Sequence, residues 1–366
     1  MIYLAFTDDW ELRGDGSGDP EKLQFQPMRE LVRIFNRHGL RASFYVEVMQ
    51  QLSCRRLQDR HPELKALAER WEAAVVETFR QGHDIQMHLH PQWKDAAYEE
   101  GRWKLSAPWS LLDHDPADIK QMLSEGKSYL ENLLHRVDPH YRCLAFRAGY
   151  WCIAPSRLAL PTLAELGFIL DTSIVGGIRY RTRNIQLDFR NVEERFWPYY
   201  PSMDDARKLS AHPEPIVCMP THCLKGERFR HLRRDMRLAS QHILGTNGRA
   251  PQSTDGRTAK SFPSLLSAMQ RVFSNYLIGK THISDISHLD YALLCQIIKN
   301  IRTQARASGM RHGPAVLASH SKDIHNFPDI DRFWSDVSRA DDLCCVTLTD
   351  LARKLTDGAL PVRYAN

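Results

Sequence analysis

Short apolar runs alternate along this chain with longer stretches in which apolar residues recur every three or four positions. The run from Ile2 to Thr7 is apolar and closes on polar residues, which predicts a buried strand. Apolar positions at Met28, Leu31, Val32 and Phe35, followed by Gly39, predict a helix with a C-terminal stop. The alternation continues with a strand in "ASFYVEV", a helix from about Glu63 to Arg80 stopped at Gly82, and a strand in "DIQMHLH". A helix over 116–135, a strand in "RCLAFRAG", a helix over 156–166 and a strand in "FILDTSI" come next. The runs "PIVCMPT" and "PAVLASH" predict two more strands, and "CCVTLTDLARKL" a strand leading into a helix.

Strands alternating with helices, with turns at Gly and Pro, predict βα units on a parallel sheet that can close into a barrel. The connection between Thr221 and Pro314 is much longer than an ordinary crossover. The chain is therefore expected to be one catalytic domain over 1–366 with an insertion at 222–312. That stretch contains the basic run "KGERFRHLRRDMR", a polar loop "GTNGRAPQSTDGRTAKSFPS" and an amphipathic segment from Asp290 to Arg306. The basic run reads as the solvated face of a helix, or as a contact for a phosphate-bearing substrate or an anionic membrane surface.

Composition narrows this only a little. With 43% hydrophobic and 25% charged residues the chain is a globular protein, not a disordered one. A net charge of +5 permits an anionic substrate but gives no reason to expect nucleic acid. The eight cysteines lack CxxC spacing and several lie in apolar runs, as buried thiols of a reducing compartment do. The N-terminus opens directly on "MIYLAFT", without a charged region or cleavage site, so a cytoplasmic location is expected.

Chemistry in parallel α/β folds gathers at the C-terminal ends of strands. Here those ends carry Asp8 and Asp9, the "HLHPQW" segment, Arg147 with Tyr150 and Trp151, Asp171, and His320. His88 and His90 are two apart in a strand, so both leave the same face with α-carbons about 7 Å apart. With an oxygen of Asp9 they make three ligands and leave a position open, as in catalytic zinc sites. The other reading of His90 is a hydrogen-bonded pocket residue. A divalent ion on Asp9 would keep Asp8 ionised as a base, and Arg147 could hold it as a carboxylate. His320 could act as general acid toward a leaving amine, with Asp323 or Asp171 orienting it.

Taken in order, these segments resemble the polysaccharide deacetylase family, the NodB-homology type of metal-dependent carbohydrate deacetylase. "FTDD" resembles its TFDD, "GHDIQMHLH" its GHEI-x-x-H, "FRAGYW" its arginine-bearing motif, "ILDTS" its aspartate-bearing strand, and "VLASH" its closing leucine-histidine motif. The resemblance implies an α/β fold, a distorted (β/α)7-type barrel, with bound Zn2+ or a similar divalent ion and hydrolysis of N-acetyl groups on amino sugars. By position it implies Asp8 as base, Asp9 and His88 as metal ligands, Arg147 as partner of the base and His320 as acid. The family's second ligand histidine falls here on Gln92, and His90 can take its place from the same strand face.

Trp93, Tyr150 and Trp151 are candidates to line a sugar pocket; His222 and Cys223 follow a strand without an assigned role. The expected substrate is a nucleotide- or lipid-linked saccharide intermediate, with contact to an anionic carrier or membrane surface. Two alternatives stay open: hydrolysis of a small non-sugar amide or cyclic imide, and a glycan-binding relic without turnover.

Overall fold

The computed structural model describes residues 1–225, 281–309 and 312–365. Contacts divide the chain into a larger unit, Met1–Cys223 with Ile283–Asn366, and a smaller one, Leu224–His282. The basic run and the polar loop expected within the insertion lie outside the described residues, whereas 283–309 belongs to the larger unit.

The larger unit is a distorted (β/α)7-type barrel. Its strands are β1 (Ile2–Trp10), β2 (Ser43–Glu47), β3 (Asp84–Leu89), β4 (Ala145–Ala148), β5 (Leu170–Asp171), β6 (Val217–Cys218) and β7 (Gly313–His320). They pair in parallel in the order β6-β5-β4-β3-β2-β1-β7. An eighth strand, β8 (Leu343–Cys345), pairs with residues 2–4 of β1, while β2 takes residues 7–10. The sheet curls until its edges meet: Thr221, just past β6, bridges Val316 of β7, and His222 N donates to Val316 O at 2.8 Å.

Helices α1 (Gln26–Arg37), α2 (Val48–Leu57), α3 (Pro62–Arg80), α4 (Pro116–Leu134) and α5 (Ala159–Glu165) follow the first strands in turn. Helices α6 (Tyr291–Ala307), α7 (Phe327–Ser338) and α8 (Leu348–Thr356) complete the described set. Local chemistry fixes their ends. Pro62 and Pro116 open α3 and α4, where a missing N–H costs nothing; Gly39 at φ +66 lets the chain turn after α1; Thr347 and Asp350 form a reciprocal capping box on α8. No described helix is long and apolar enough to cross a membrane.

Two helices, α2 and α7, are not among the elements that the sequence pattern predicted. In α2 the buried residues include Gln50, Gln51 and Ser53, so its inner face reads as polar; Gln50 and Gln24 bond reciprocally through their amides at 3.1 Å. Helix α7 buries Ile330, Phe333, Trp334 and Val337, an i, i+3, i+4, i+7 stripe that was legible in the chain.

The more consequential difference is at β1, which runs three residues beyond Thr7. Asp8 and Asp9 lie inside the strand, not past its end. Period-two alternation therefore sends them to opposite faces. Phe6, Asp8 and Trp10 face the helices: Phe6 packs on Phe35 and Trp334, with centroids 4.8 and 5.7 Å away, and Trp10 on Phe25 and Trp71 at 5.5 and 5.6 Å. Asp9, and Glu11 beyond it, face the barrel interior.

Candidate active site

At the C-terminal ends of the strands lies a pocket of ≈ 330 Å³ bordered by Asp9, Glu11, His88, His90, Trp151 and His320 among others. Its floor is polar and almost wholly buried. Asp9, on β1, accepts from Arg147 of β4, Nη1 to Oδ1, at 2.5 Å. Its other oxygen lies 3.5 Å from His320 Nε2 and 4.0 Å from His88 Nε2. Arg147 is itself clamped, its guanidinium 4.4 Å from the Tyr45 ring centroid and 4.7 Å from that of Trp151, with Nη2 donating to Thr221 Oγ1 at 3.3 Å.

Glu11, His88, His90 and Glu47 form a second cluster, each offering one ligand atom, all within 4.8 Å of one another and all buried. His88 Nδ1 lies 2.9 Å from the Arg147 carbonyl, which can only accept, so that nitrogen carries a proton and Nε2 is the atom turned toward the carboxylates. His88 Nε2 is buried and has no hydrogen-bond partner. An imidazole fixed by its far nitrogen, with the near one unpartnered beside carboxylates, is how histidine is held for a cation. Glu11 Oε2 lies 2.5 Å from His90 Nε2 and 3.3 Å from His88 Nε2. Burial alone pushes the Glu11 carboxyl up, but Lys322 and then His90 outweigh it and hold the group well below the carboxylate range. Glu47 caps α2, accepting from Met49 N at 2.8 Å, and also accepts from His90 N at 2.8 Å; burial pushes it up to about 8. This donor set of two imidazoles and one or two carboxylates fits a divalent transition ion.

On the far side of Asp9, His320 Nδ1 lies 2.7 Å from Asp285 Oδ2. Burial disfavours the imidazolium, yet Asp285 prevails and lifts His320 to about 9, while Asp285 in turn is held well below its ordinary range. Asp285 thus favours the protonated form of His320 at neutral pH.

The other expected residues are placed as follows. Asp8 faces away from the pocket and accepts from Ser321 Oγ at 2.6 Å; burial pushes its carboxyl up to about 7. Arg147 pairs with Asp9 and not with Asp8. Asp171 accepts from Ser173 Oγ at 2.6 Å and does not reach His320; the orienting carboxylate is Asp285. Tyr150 and Trp151 line the pocket, whereas Trp93 is buried against Trp103, centroids 4.9 Å apart. Gln92 lies behind His90, Nε2 to Nδ1 at 3.1 Å. His222 is engaged by Ser284 and Asn300, and Asp323 borders the pocket.

Glu11, Glu47, Asp285 and Lys322 were not anticipated. Glu11 was readable as the inward neighbour of Asp9 in "DDWE", and Glu47 as a carboxylate ending "FYVE"; no local signal singles out Asp285.

No family model and no curated protein matches this sequence. Among solved structures, the chain is similar to Puue allantoinase at 12% identity and TM-score 0.47, over 97% of this chain and 90% of that one. It is similar to a probable polysaccharide deacetylase from Pseudomonas aeruginosa PAO1 at 13% and 0.45, over 97% and 91%. It is also similar to a branching enzyme of GH57 type from Pyrococcus horikoshii at 10% and 0.48, over 99% and 71%. At such identities and scores the likeness says nothing of chemistry, and the functional reading rests on the pocket itself.

Proposed function

We propose that this chain is a metal-dependent deacetylase that hydrolyses an N-acetyl group on an amino-sugar-containing saccharide or glycan intermediate. The observation that carries the reading is the convergence, in one pocket, of the Glu11–His88–His90 donor set with two flanking proton-handling pairs, Asp9–Arg147 and His320–Asp285. The motif resemblance, and the Tyr150 and Trp151 rings on the pocket wall, support a sugar as substrate.

Glu11, His88 and His90 would hold the ion, with Glu47 behind them; Zn2+ best suits two imidazoles, a carboxylate and an open position. A divalent ion there supplies Lewis-acid polarisation of a carbonyl and acidifies water. Asp9 takes the proton of the attacking water; its place on the pocket border, where Asp8 is not found, supports that reading. Arg147, held between the Tyr45 and Trp151 rings, aims Asp9 through its bond to Oδ1. His320, kept protonated by Asp285, delivers a proton to the departing nitrogen. Eight free cysteines, five of them buried, suit a reducing, cytoplasmic setting, and a saccharide on an anionic carrier remains our expected substrate class.

The test is elemental analysis of wild type, Glu11→Ala and His88→Ala, with acetate release measured on acetylated amino-sugar substrates. We expect about one ion per chain in wild type, lost in both variants together with activity. A protein that takes up no divalent ion yet binds glycans would overturn the hydrolase and establish the binding relic.

A further inference from the structure

Glu11 is gripped from two sides. Its Oε2 faces the imidazoles, 2.5 Å from His90 Nε2 and 3.3 Å from His88 Nε2, while Oε1 accepts from the Lys322 ammonium. Lys322 lies two residues after His320, on the turn Ser321–Asp323, and borders the same pocket with a side chain only 16% exposed. Neither the motif resemblance nor the proposed proton transfers use it.

We propose that Lys322 is a positioning residue for the ion site: by occupying one oxygen of Glu11 it leaves the other as the single oxygen offered to a divalent cation. This inference rests on the ion site proposed above. A carboxylate free on both oxygens can ligate through one or both, and two-oxygen ligation suits larger ions of high coordination number. One oxygen with two imidazoles is the three-ligand set that leaves a four-coordinate ion an open position. A cationic neighbour is a curious choice beside a dication, because the two charges repel at short range and affinity falls. The arrangement makes sense if the geometry of Glu11 matters more than tight binding. It also gives a buried carboxylate a partner at all times, without which its burial would be strongly destabilising.

The experiment loads Co2+ into full-length wild type, Lys322→Met and Lys322→Arg and records the visible bands, which are intense for four-coordinate and weak for five- or six-coordinate ions. Affinity is read by competition with a chromophoric chelator. We expect intense bands in wild type and Lys322→Arg. Lys322→Met should show bands weakened several-fold and, with the competing charge gone, binding tighter by about tenfold or more. Should Lys322→Met not fold, Lys322→Gln removes the same charge and is read in the same way. Unchanged bands and affinity in a folded variant lacking the ammonium would overturn the role of Lys322 while leaving the ion site standing. Failure of wild type to take up Co2+ would remove both.

Discussion

Asp285→Asn isolates the acid half of the proposed chemistry. In wild type Asp285 lifts His320 to about 9 against its burial, from an ordinary 6.5. That gap corresponds to about 3 kcal/mol in favour of the imidazolium. Because burial opposes the charge, removing the carboxylate should return His320 to about 6.5 or below. At pH 7.5 the protonated fraction then falls from about 97% to about 10%, so kcat/KM should drop about tenfold there and little at pH 5.5. The sign is fixed by the direction of the change: an acid catalyst with a raised value works below it, and the alkaline limb of the profile should move from about 9 toward 6.5. The stability that the pair contributes follows the same course, full below about 6.5 and lost as pH rises through about 9. The assay is a pH profile of kcat/KM on an acetylated amino sugar with metal content held equal. A uniform loss at all pH values with the limb unmoved would refute His320 as the acid.

Asp9→Asn should keep the ion and lose turnover by about 10²- to 10⁴-fold, read by elemental analysis beside acetate release; loss of the ion would instead make Asp9 a ligand. Asp8→Asn should keep turnover. Burial raises Asp8 to about 7 from 3.8, so the fold penalises its ionised form increasingly between those values. The stability of Asp8→Asn relative to wild type should therefore improve by about 3 kcal/mol between pH 5 and pH 8, measured by urea unfolding. Gly14→Ala would place a Cβ on the Tyr150 hydroxyl and push that ring from the pocket wall, raising KM more than it lowers kcat.

The barrel was legible because βα alternation leaves a strong imprint: buried strands read as apolar runs, and Gly and Pro mark the turns. The exceptions have physical causes. Helix α2 hides behind buried glutamines that satisfy one another, and β5 and β6 keep only two ladder residues each because bridges and loop bonds close the barrel there. In the site, His88, His90, Arg147 and His320 were visible as strand-end residues with a common destination. What failed was the register of one strand end. Three extra residues in β1 turn Asp8 away from the pocket, leave Asp9 bordering it and bring Glu11 to the same border. Asp285 could not have been found locally, since its partnership with His320 joins a loop to a strand 35 positions away.

Tyr150 and Trp151 have φ values of 53° and 62°, a conformation that bulky residues adopt at a cost of about 1–3 kcal/mol each. Neighbours impose it: Tyr150 stacks on Trp109 at 5.2 Å and meets the His90 ring at 4.6 Å, and Trp151 lies against Arg147. The turn is therefore a spring held by the very residues proposed for ion and base. Epistasis should follow, because removing His90 or Arg147 also frees the aromatic wall, after which losing Tyr150 or Trp151 does little further harm. Double-mutant cycles across this turn should depart from additivity, and the substrate wall and reaction floor should vary together in descendants of this sequence.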